Sequence, residues 1–163
     1  MANNTTLILR MVAVDHPDAR RLQEAQQAEL GALFGFRGFA LADSPQFRPP
    51  RGTFLVAYAG ADAVACGGIC PLEALPGTAE LKRMYTAPEW RRRGLGVRIV
   101  RALESEACAL GYRSIALETG TVMHWAIALY ESQGYERIPL YPPYLTSGHS
   151  TCLGKDVYSP GVA

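Results

Sequence analysis

A loop rich in arginine and glycine, set between a strand and a helix, most constrains how this chain folds. Residues 79–86 predict a strand, the loop 91–96 reads RRRGLG, and an amphipathic helix then runs to Leu110. The pattern of residues 113–119 predicts a second, buried strand. Strands joined through a helix in this way are parallel neighbours in a right-handed crossover. We therefore expect these two strands to be parallel neighbours in the sheet.

The rest of the sequence predicts an antiparallel surrounding for that pair. Short links join the apolar strands predicted on its N-terminal side, which is typical of a meander. We predict further strands over residues 6–14, 53–59, 63–71, 135–139 and 151–157, and helices over 18–34 and 122–132. The 163 residues are expected to form a single domain, 1–163, because domains commonly hold about 100–200 residues.

Composition and charge exclude several classes of protein. Apolar residues make up 48% of the chain and charged residues 19%, with a formal net charge of +1, so neither disorder nor a polyanion-coating role is favoured. We found no apolar run of about 18–20 residues and no basic, apolar leader at the N-terminus. We expect a soluble, cytoplasmic protein with neither a membrane nor a nucleic acid as partner.

The cysteines and histidines are too scattered to predict a metal site or a disulfide framework. The chain has four cysteines and three histidines, and no second ligand pair accompanies Cys66 and Cys70 at the spacing that zinc requires. We expect buried, reduced thiols and no metal.

The 91–96 loop is a candidate seat for phosphate groups. Glycines allow a ligand to approach the backbone, and the first N–H groups of the following helix have no partner within the helix. Arginines add charge-assisted hydrogen bonds. The loop is not a dinucleotide fingerprint, because residue 99 is Ile rather than Gly, and it lacks the Gly-Lys-Ser/Thr of a P-loop.

Two motifs together resemble the GNAT family of acetyl-CoA-dependent N-acetyltransferases. The first is Arg91-x-x-Gly94-x-Gly96, preceded by the strand and turn MYTAPE. The second is LETGTVMHWAIALYESQGYERI, in which Ala126-Ile127-x-Leu129-Tyr130-x-x-x-Gly134-Tyr135 matches the family's strand and helix. The resemblance implies a GNAT-type acyl-CoA N-acyltransferase fold of class α/β: a mixed, mostly antiparallel sheet with helices on both faces and a splayed parallel strand pair.

The resemblance also implies which residues bind acetyl-CoA, with CoA as the product. The pantetheine arm lies in the gap between the two parallel strands and bonds the strand backbone at Met84, Tyr85 and Thr86. The pyrophosphate lies on the loop and the first turn of the helix, at Arg91, Arg92, Arg93, Gly94, Leu95, Gly96 and Val97. Met123 stands where family members often have Asn or Gln, so its side chain packs against the cofactor but does not hydrogen-bond well.

Acetyl transfer to a primary amine requires a base and an acid. An alkylammonium with a pKa of about 10.4 must lose a proton before it attacks. Glu80 is a candidate base at a position where several family members have a glutamate, while Glu118 is the rival base or amine-binding carboxylate, and a water chain is a third alternative. A backbone N–H beside Met84 would stabilise the oxyanion. The resemblance places the acid that protonates the departing thiolate at Tyr130.

The acceptor site is expected between the first helix and the 35–52 and 140–149 loops. Its substrate-binding residues are Glu118, Phe34 and Tyr144, and a wider aromatic wall adds Phe36, Phe39 and Tyr141. The acceptor itself, a small molecule or a peptide, is not identifiable from the sequence. Alternatives are transfer of a longer acyl chain, a hydroxyl acceptor, or a non-catalytic acyl-CoA-binding sensor or interaction module. The exposed late strands are compatible with a homodimer.

Overall fold

The computed structural model describes residues 5–35 and 45–158, which form seven strands and three α-helices. In chain order these are β1 (Leu7–Met11), α1 (Pro17–Phe34), β2 (Thr53–Ala59), β3 (Asp62–Pro71), β4 (Thr78–Thr86), α2 (Leu95–Ala109), β5 (Ser114–Gly120), α3 (His124–Ser132), β6 (Glu136–Ile138) and β7 (Ser150–Asp156). Two short 3₁₀ turns span Pro45–Phe47 and Pro88–Trp90.

The seven strands lie in one sheet in the order β1-β2-β3-β4-β5-β7-β6. The pair β4–β5 is parallel, and every other neighbouring pair is antiparallel. The parallel pair predicted from the crossover through α2 is therefore confirmed. β7 inserts between β5 and β6, so the chain places β5 in the interior of the sheet.

Alternation along β2 shows how helices come to cover both faces of the sheet. Residues 54, 56 and 58 pack in one buried cluster with Ala19 and Leu22 of α1. Residues 55, 57 and 59 belong to the opposite cluster, which holds the apolar stripe of α2. Successive side chains of a strand point to opposite faces, so two apolar faces require two covering layers. The predicted mixed α/β architecture is confirmed.

Helix α2 is anchored by its apolar face and begins at a glycine. Ile99, Leu103 and Ala107 are completely buried against the sheet. Gly94, the residue before the helix, has a φ of 76°, a left-handed conformation that glycine adopts without the penalty imposed by a Cβ. The turn before α2 therefore depends on this glycine.

The thiol expectation holds for three of the four cysteines. Cys66, Cys70 and Cys152 are free and buried, and burial raises the pKa of the Cys66 thiol to about 12. Cys108 is exposed, so the expectation was wrong there: it lies on the solvent side of α2, next to buried Ala107, and its thiol donates to Val157 O.

The described ranges contain no group of three or more His, Cys, Asp or Glu residues arranged to hold a metal ion. No helix in the described ranges combines the length and apolarity that crossing a bilayer requires.

Candidate active site

The parallel strands β4 and β5 separate halfway along their length. Their pairing runs from Thr78 opposite Ser114 to Glu80 opposite Ala116 and stops there. β4 continues for six more residues, to Thr86, and β5 for four more, to Gly120. The facing edges beyond Glu80 therefore form a gap in the middle of the sheet.

A bulge in β4 lies on the border of this gap. Cys66 of β3 pairs with Tyr85, and Gly68 pairs with Lys82, so two residues of β4 oppose one residue of β3. Arg83 takes up the extra length with a φ of 61°, which is rare for a residue with a side chain. A bulge bends its strand, which turns β4 away from β5 beyond residue 82.

A cleft of about 730 Å³ passes through the gap. The cleft is lined on the α1 side by Gln26, Leu30, Phe34, Lys82, Arg83 and Tyr144, and on the α3 side by Met84, Met123, Ala126 and Tyr130. Glu80 and Glu118 contribute the carboxylates of its lining, and Ser147, His149 and Ser150 close its β7 end. The cleft has the size and the mainly apolar lining typical of a small-molecule site.

Seven of the predicted site residues come together in this cleft: Glu80, Met84, Glu118, Met123, Tyr130, Phe34 and Tyr144. Tyr141 is buried behind Glu80 and packs edge-on against Tyr144. Tyr85, Thr86 and the loop 91–97 lie outside the cleft lining. The predicted aromatic residues Phe36 and Phe39 lie outside the described residues.

Glu80 is buried and held by its neighbours. Its Oε1 atom accepts from the Tyr141 hydroxyl at 3.3 Å and lies 3.5 Å from Lys82 Nζ. Burial is the largest influence on Lys82 and works against its charge, but the Glu80 carboxylate and the other groups around Lys82 together outweigh burial, so the pKa of Lys82 is raised. Lys82 therefore stays cationic and pairs with Glu80.

Glu118 lies across the gap from Glu80 in a different environment. Its Oε1 atom accepts a 2.6 Å hydrogen bond from Ser150 Oγ, and Ser150 in turn lies 2.8 Å from Ser147 Oγ. Burial raises the pKa of Glu118, although the Ser150 hydrogen bond and Lys82 oppose that rise. A carboxylate with a raised pKa accepts a proton more readily at neutral pH.

Tyr130 forms the opposite wall of the cleft from α3. Its ring is 7% exposed and packs edge-on against the Tyr135 ring, with 5.7 Å between centroids. Burial raises the pKa of Tyr130 above its ordinary value, so the hydroxyl remains protonated and able to donate. The predicted acid is therefore placed at the cleft in the protonation state that an acid requires.

The loop before α2 leaves its backbone N–H groups open. Arg98 is the first residue whose N–H bonds within the helix, to Gly94 O, so the N–H groups of residues 95–97 have no helical acceptor. A Cβ on Gly94 would meet nothing within 4 Å, whereas a Cβ on Gly96 would lie 3.2 Å from Leu129 Cδ1. Gly94 thus gives space to a ligand, and Gly96 allows α2 to approach α3.

The side chains of Arg91 and Arg93 in this loop contact the protein itself. Arg91 donates from Nε to Thr86 O at 2.8 Å and from its guanidinium to the Glu29 carboxylate of α1. The Arg93 guanidinium lies over the Trp90 ring, 4.7 Å from its centroid. In this structure Arg91 therefore braces the end of β4 against α1.

Gln26 of α1 makes a contact that the sequence did not reveal. Its Nε2 atom donates to Met84 O at 2.9 Å, across 58 residues of chain. A polar residue in the middle of an amphipathic helix gives no signal of such a partner. Ser147 and Ser150 were missed as well, because Ser147 lies in the segment between β6 and β7 and Ser150 is the first residue of β7, where the sequence pattern gives no signal of a partner on β5.

Comparison with known proteins identifies the family. The sequence model of the acetyltransferase (GNAT) family matches residues 16–135. The chain belongs to this family. It is 34% identical over 124 residues to an IAA acetyltransferase of Azospirillum brasilense, a match that covers 76% of this chain and 80% of the relative. It is 30% identical over 146 residues to the uncharacterised N-acetyltransferase YjgM of Escherichia coli, covering 85% and 86% of the two chains.

Solved structures share the fold of this chain. A Klebsiella pneumoniae protein assigned as an acyl-CoA N-acyltransferase superposes with a TM-score of 0.81 at 28% identity, covering 95% of this chain and all of that one. The acetyltransferase yncA of Salmonella typhimurium, solved with acetyl-CoA, has a TM-score of 0.74 at 15% identity and covers 96% of each chain. As a GNAT member the chain is an acyltransferase, and the acyl donor of the family is acetyl-CoA.

Proposed function

We propose that this GNAT member transfers the acetyl group of acetyl-CoA to a primary amine of a small molecule or peptide. The observation that carries the proposal is the gap between β4 and β5, because a phenol lies on one side of it and two carboxylates lie on the other. Tyr130 is placed on one side of it, and Glu80 and Glu118 on the other. In acetyl transfer the amine must lose a proton and the departing thiolate must gain one. A proton donor and proton acceptors on opposite sides of one gap suit such a reaction.

The described residues fit acetyl-CoA on independent grounds. The edges of β4 and β5 beyond Glu80 have no strand partner, so their backbone groups are available to the amides of a pantetheine arm. The open N–H groups at the start of α2 suit a pyrophosphate, and Gly94 leaves space beside them. Met84, Met123 and Ala126 provide apolar wall between the two. We therefore assign the arm to the gap and the phosphates to the loop.

Different residues of the chain then have different roles in the reaction. Acetyl-CoA supplies an activated acetyl group as a thioester. A carboxylate on the α1 side, Glu118 or Glu80, takes a proton from the acceptor ammonium, and the Tyr130 hydroxyl gives one to the departing sulfur. The N–H groups of the bulged segment around Met84 lie on the edge of the gap, where they can stabilise negative charge on a carbonyl oxygen.

The acceptor side of the cleft indicates the kind of amine that fits. Leu30, Phe34 and Tyr144 offer apolar and aromatic surface beside the two glutamates. We infer an acceptor that presents an amine next to an apolar group. Because one relative is named an IAA acetyltransferase, IAA belongs in the panel of acceptors.

The test is a screen of acceptors with release of free CoA thiol as the readout. The panel holds aliphatic and aromatic amines, amino acids, short peptides, the corresponding alcohols and IAA. Acetyl transfer to amines, confirmed by mass spectrometry of the product, is the expected result. Transfer to alcohols or to IAA in preference to every amine would redirect the assignment to another acceptor class. Binding of acetyl-CoA without thiol release from any compound would contradict the proposal and favour the acyl-CoA sensor.

A further inference from the structure

The two carboxylates that line the cleft are held in different ways. Glu80 is 8% exposed, and its Oε1 atom contacts both the Tyr141 hydroxyl and the Lys82 ammonium. These two contacts commit this oxygen of Glu80 to partners within the protein. Lys82 and Glu80 together therefore serve as a structural ion pair on the acceptor face of β4.

Among the described residues, Glu118 forms no salt bridge with a lysine or arginine. The group that donates a hydrogen bond to its carboxylate is the Ser150 hydroxyl. Ser150 fixes one carboxylate oxygen at 2.6 Å, and Ser147 orders Ser150 at 2.8 Å. Ser147 is itself ordered, because its hydroxyl also accepts from the backbone N–H of His149 at 3.2 Å. A chain of three hydrogen bonds thus anchors the carboxylate on the cleft wall.

This inference rests on the proposed acetyl transfer to an amine. We propose that Glu118 is the base that takes the proton of the acceptor ammonium, and that Ser150 is the positioning residue that holds its carboxylate at the gap. Ser147 comes from the segment that leads into β7, and Ser150 is the first residue of β7, which pairs with β5 at Gly120 opposite Ser150 and at Glu118 opposite Cys152. The pairing of β5 with β7 therefore brings base and positioning residue together.

The protons balance with Tyr130 as the donor on the other side. Glu118 removes one proton from the ammonium, which frees the nitrogen lone pair to form the new C–N bond as the C–S bond breaks. Tyr130 donates its proton to the sulfur, and the second proton lost by the nitrogen restores the tyrosine hydroxyl. One proton is released from Glu118 to solvent in each turnover.

The groups that face Glu118 come from three elements, and they set the direction of the pH dependence. These groups are Glu80 and Lys82 of β4, Cys152 and Ser150 of β7, and Tyr144 and His149 of the segment between β6 and β7. The hydroxyl of Ser150 stabilises the charged carboxylate, so it opposes the rise in pKa that burial causes. Removal of the hydroxyl raises the pKa of Glu118 further, and the acid limb of the rate profile then moves to higher pH.

The experiment compares five variants, one of them Glu80→Gln, by the pH profile of kcat/KM, with the best amine of the screen as substrate. Glu118→Gln is expected to lose about 10²–10⁴-fold, the range of general base catalysis, and to lose the acid limb. Ser150→Ala is expected to lose about tenfold on the acid limb and to approach wild type at high pH, since hydrogen bonds to charged groups have this order of magnitude. Ser150→Thr, which keeps the hydroxyl, restores the profile. Ser147→Ala leaves the Ser150–Glu118 bond in place and moves the limb less.

A second readout does not depend on activity. The glutamate side-chain carboxyl carbons are titrated by ¹³C NMR in the unliganded protein, with the Glu118 signal assigned from the Glu118→Gln spectrum. An upward pKa shift of this signal in Ser150→Ala supports the positioning role, and an unchanged pKa overturns it. If the acid limb survives in Glu118→Gln but disappears in Glu80→Gln, Glu80 is the base and the inference is wrong. A wild-type enzyme that acetylates no amine would refute the proposed function instead, while the NMR titration still decides whether Ser150 holds Glu118.

Discussion

Replacing Tyr130 by phenylalanine is the sharpest test of the catalytic side of the cleft. The substitution removes one oxygen and keeps the ring, which is buried and packs edge-on against Tyr135 at 5.7 Å. The wall of the cleft and the α3 core contacts are therefore expected to survive. Only the proton donor is lost, so turnover should fall while the affinity for acetyl-CoA stays close to that of wild type.

The size of the loss distinguishes an acid from a structural phenol. A general acid contributes about 10²–10⁴-fold, or about 3–5 kcal/mol of barrier at about 1.36 kcal/mol for each tenfold change. An ordinary hydrogen bond contributes about 0.5–1.5 kcal/mol net. We expect kcat to fall at least 100-fold under conditions in which chemistry limits the rate, as measured by single-turnover thiol release, with little change in the dissociation constant from calorimetry.

A matched control comes from the neighbouring tyrosine. Tyr135 is 2% exposed and contacts the same ring, but it does not line the cleft. Tyr135→Phe therefore reports the effect of removing a buried hydroxyl without removing the proposed acid, and its kcat should stay within a few-fold of wild type.

Because burial raises the pKa of Tyr130, an alkaline limb due to this group lies above about pH 10. If Tyr130→Phe keeps more than about a third of wild-type turnover, solvent protonates the thiolate and the reasoning fails.

Three further predictions concern the cofactor side. Acetyl-CoA and CoA at about 100 times their dissociation constants should each raise the Tm by about 5–10 °C in a fluorescence melt, and NADH should not. Gly94→Asp should abolish CoA binding in calorimetry, because it places a negative charge at the open N–H groups. Gly94→Asn is the neutral control, since Asn also tolerates a left-handed φ, and it should bind CoA more tightly than Gly94→Asp. Equal losses of affinity in the two variants would show that the backbone conformation, and not the charge, is the cause. Gly96→Ala should change stability by less than about 1 kcal/mol in urea unfolding, because the contact of its Cβ with Leu129 Cδ1 opposes the gain in helix propensity, and the added change Leu129→Ala should leave that gain visible.

Much of the fold followed from local pattern and chain order. β2 begins and ends at the predicted residues, Thr53 and Ala59, and all but one of the other strands and helices lie within about two residues of their predicted bounds. β1 is the exception, because its pairing with β2 ends at Met11 opposite Leu55 although the apolar pattern runs on to Val14. β2 itself continues to Thr53, but the chain beyond β1 turns into α1, where the His16 N–H donates to Ala13 O, and an apolar pattern does not show where such a turn begins.

The site was predicted in part, and the missing part has a physical reason. Glu80, Glu118 and Tyr130 could be located because each lies on a regular element, where periodicity fixes the face on which a side chain lies. Contacts such as that between Gln26 and Met84 O, or between Ser150 and Glu118, join segments that are 58 and 32 residues apart. Such pairs are set by packing in three dimensions. The bulge at Arg83 escaped prediction because a left-handed φ there lacks the glycine that usually signals it.

The open edge of β4 links the two halves of the cleft through α1. The carbonyl oxygens of Met84 and Thr86 already accept hydrogen bonds, from Gln26 and from Arg91, and Arg91 is tied to Glu29 one turn further along α1. A carbonyl oxygen has two lone pairs, so an incoming pantetheine amide can share these acceptors without displacing the side chains. The same helix presents Leu30 and Phe34 to the acceptor side of the cleft. The residues that set the β4 edge for the acyl donor and those that shape the acceptor site therefore lie within two turns of one helix, and a shift of α1 would alter both sites together.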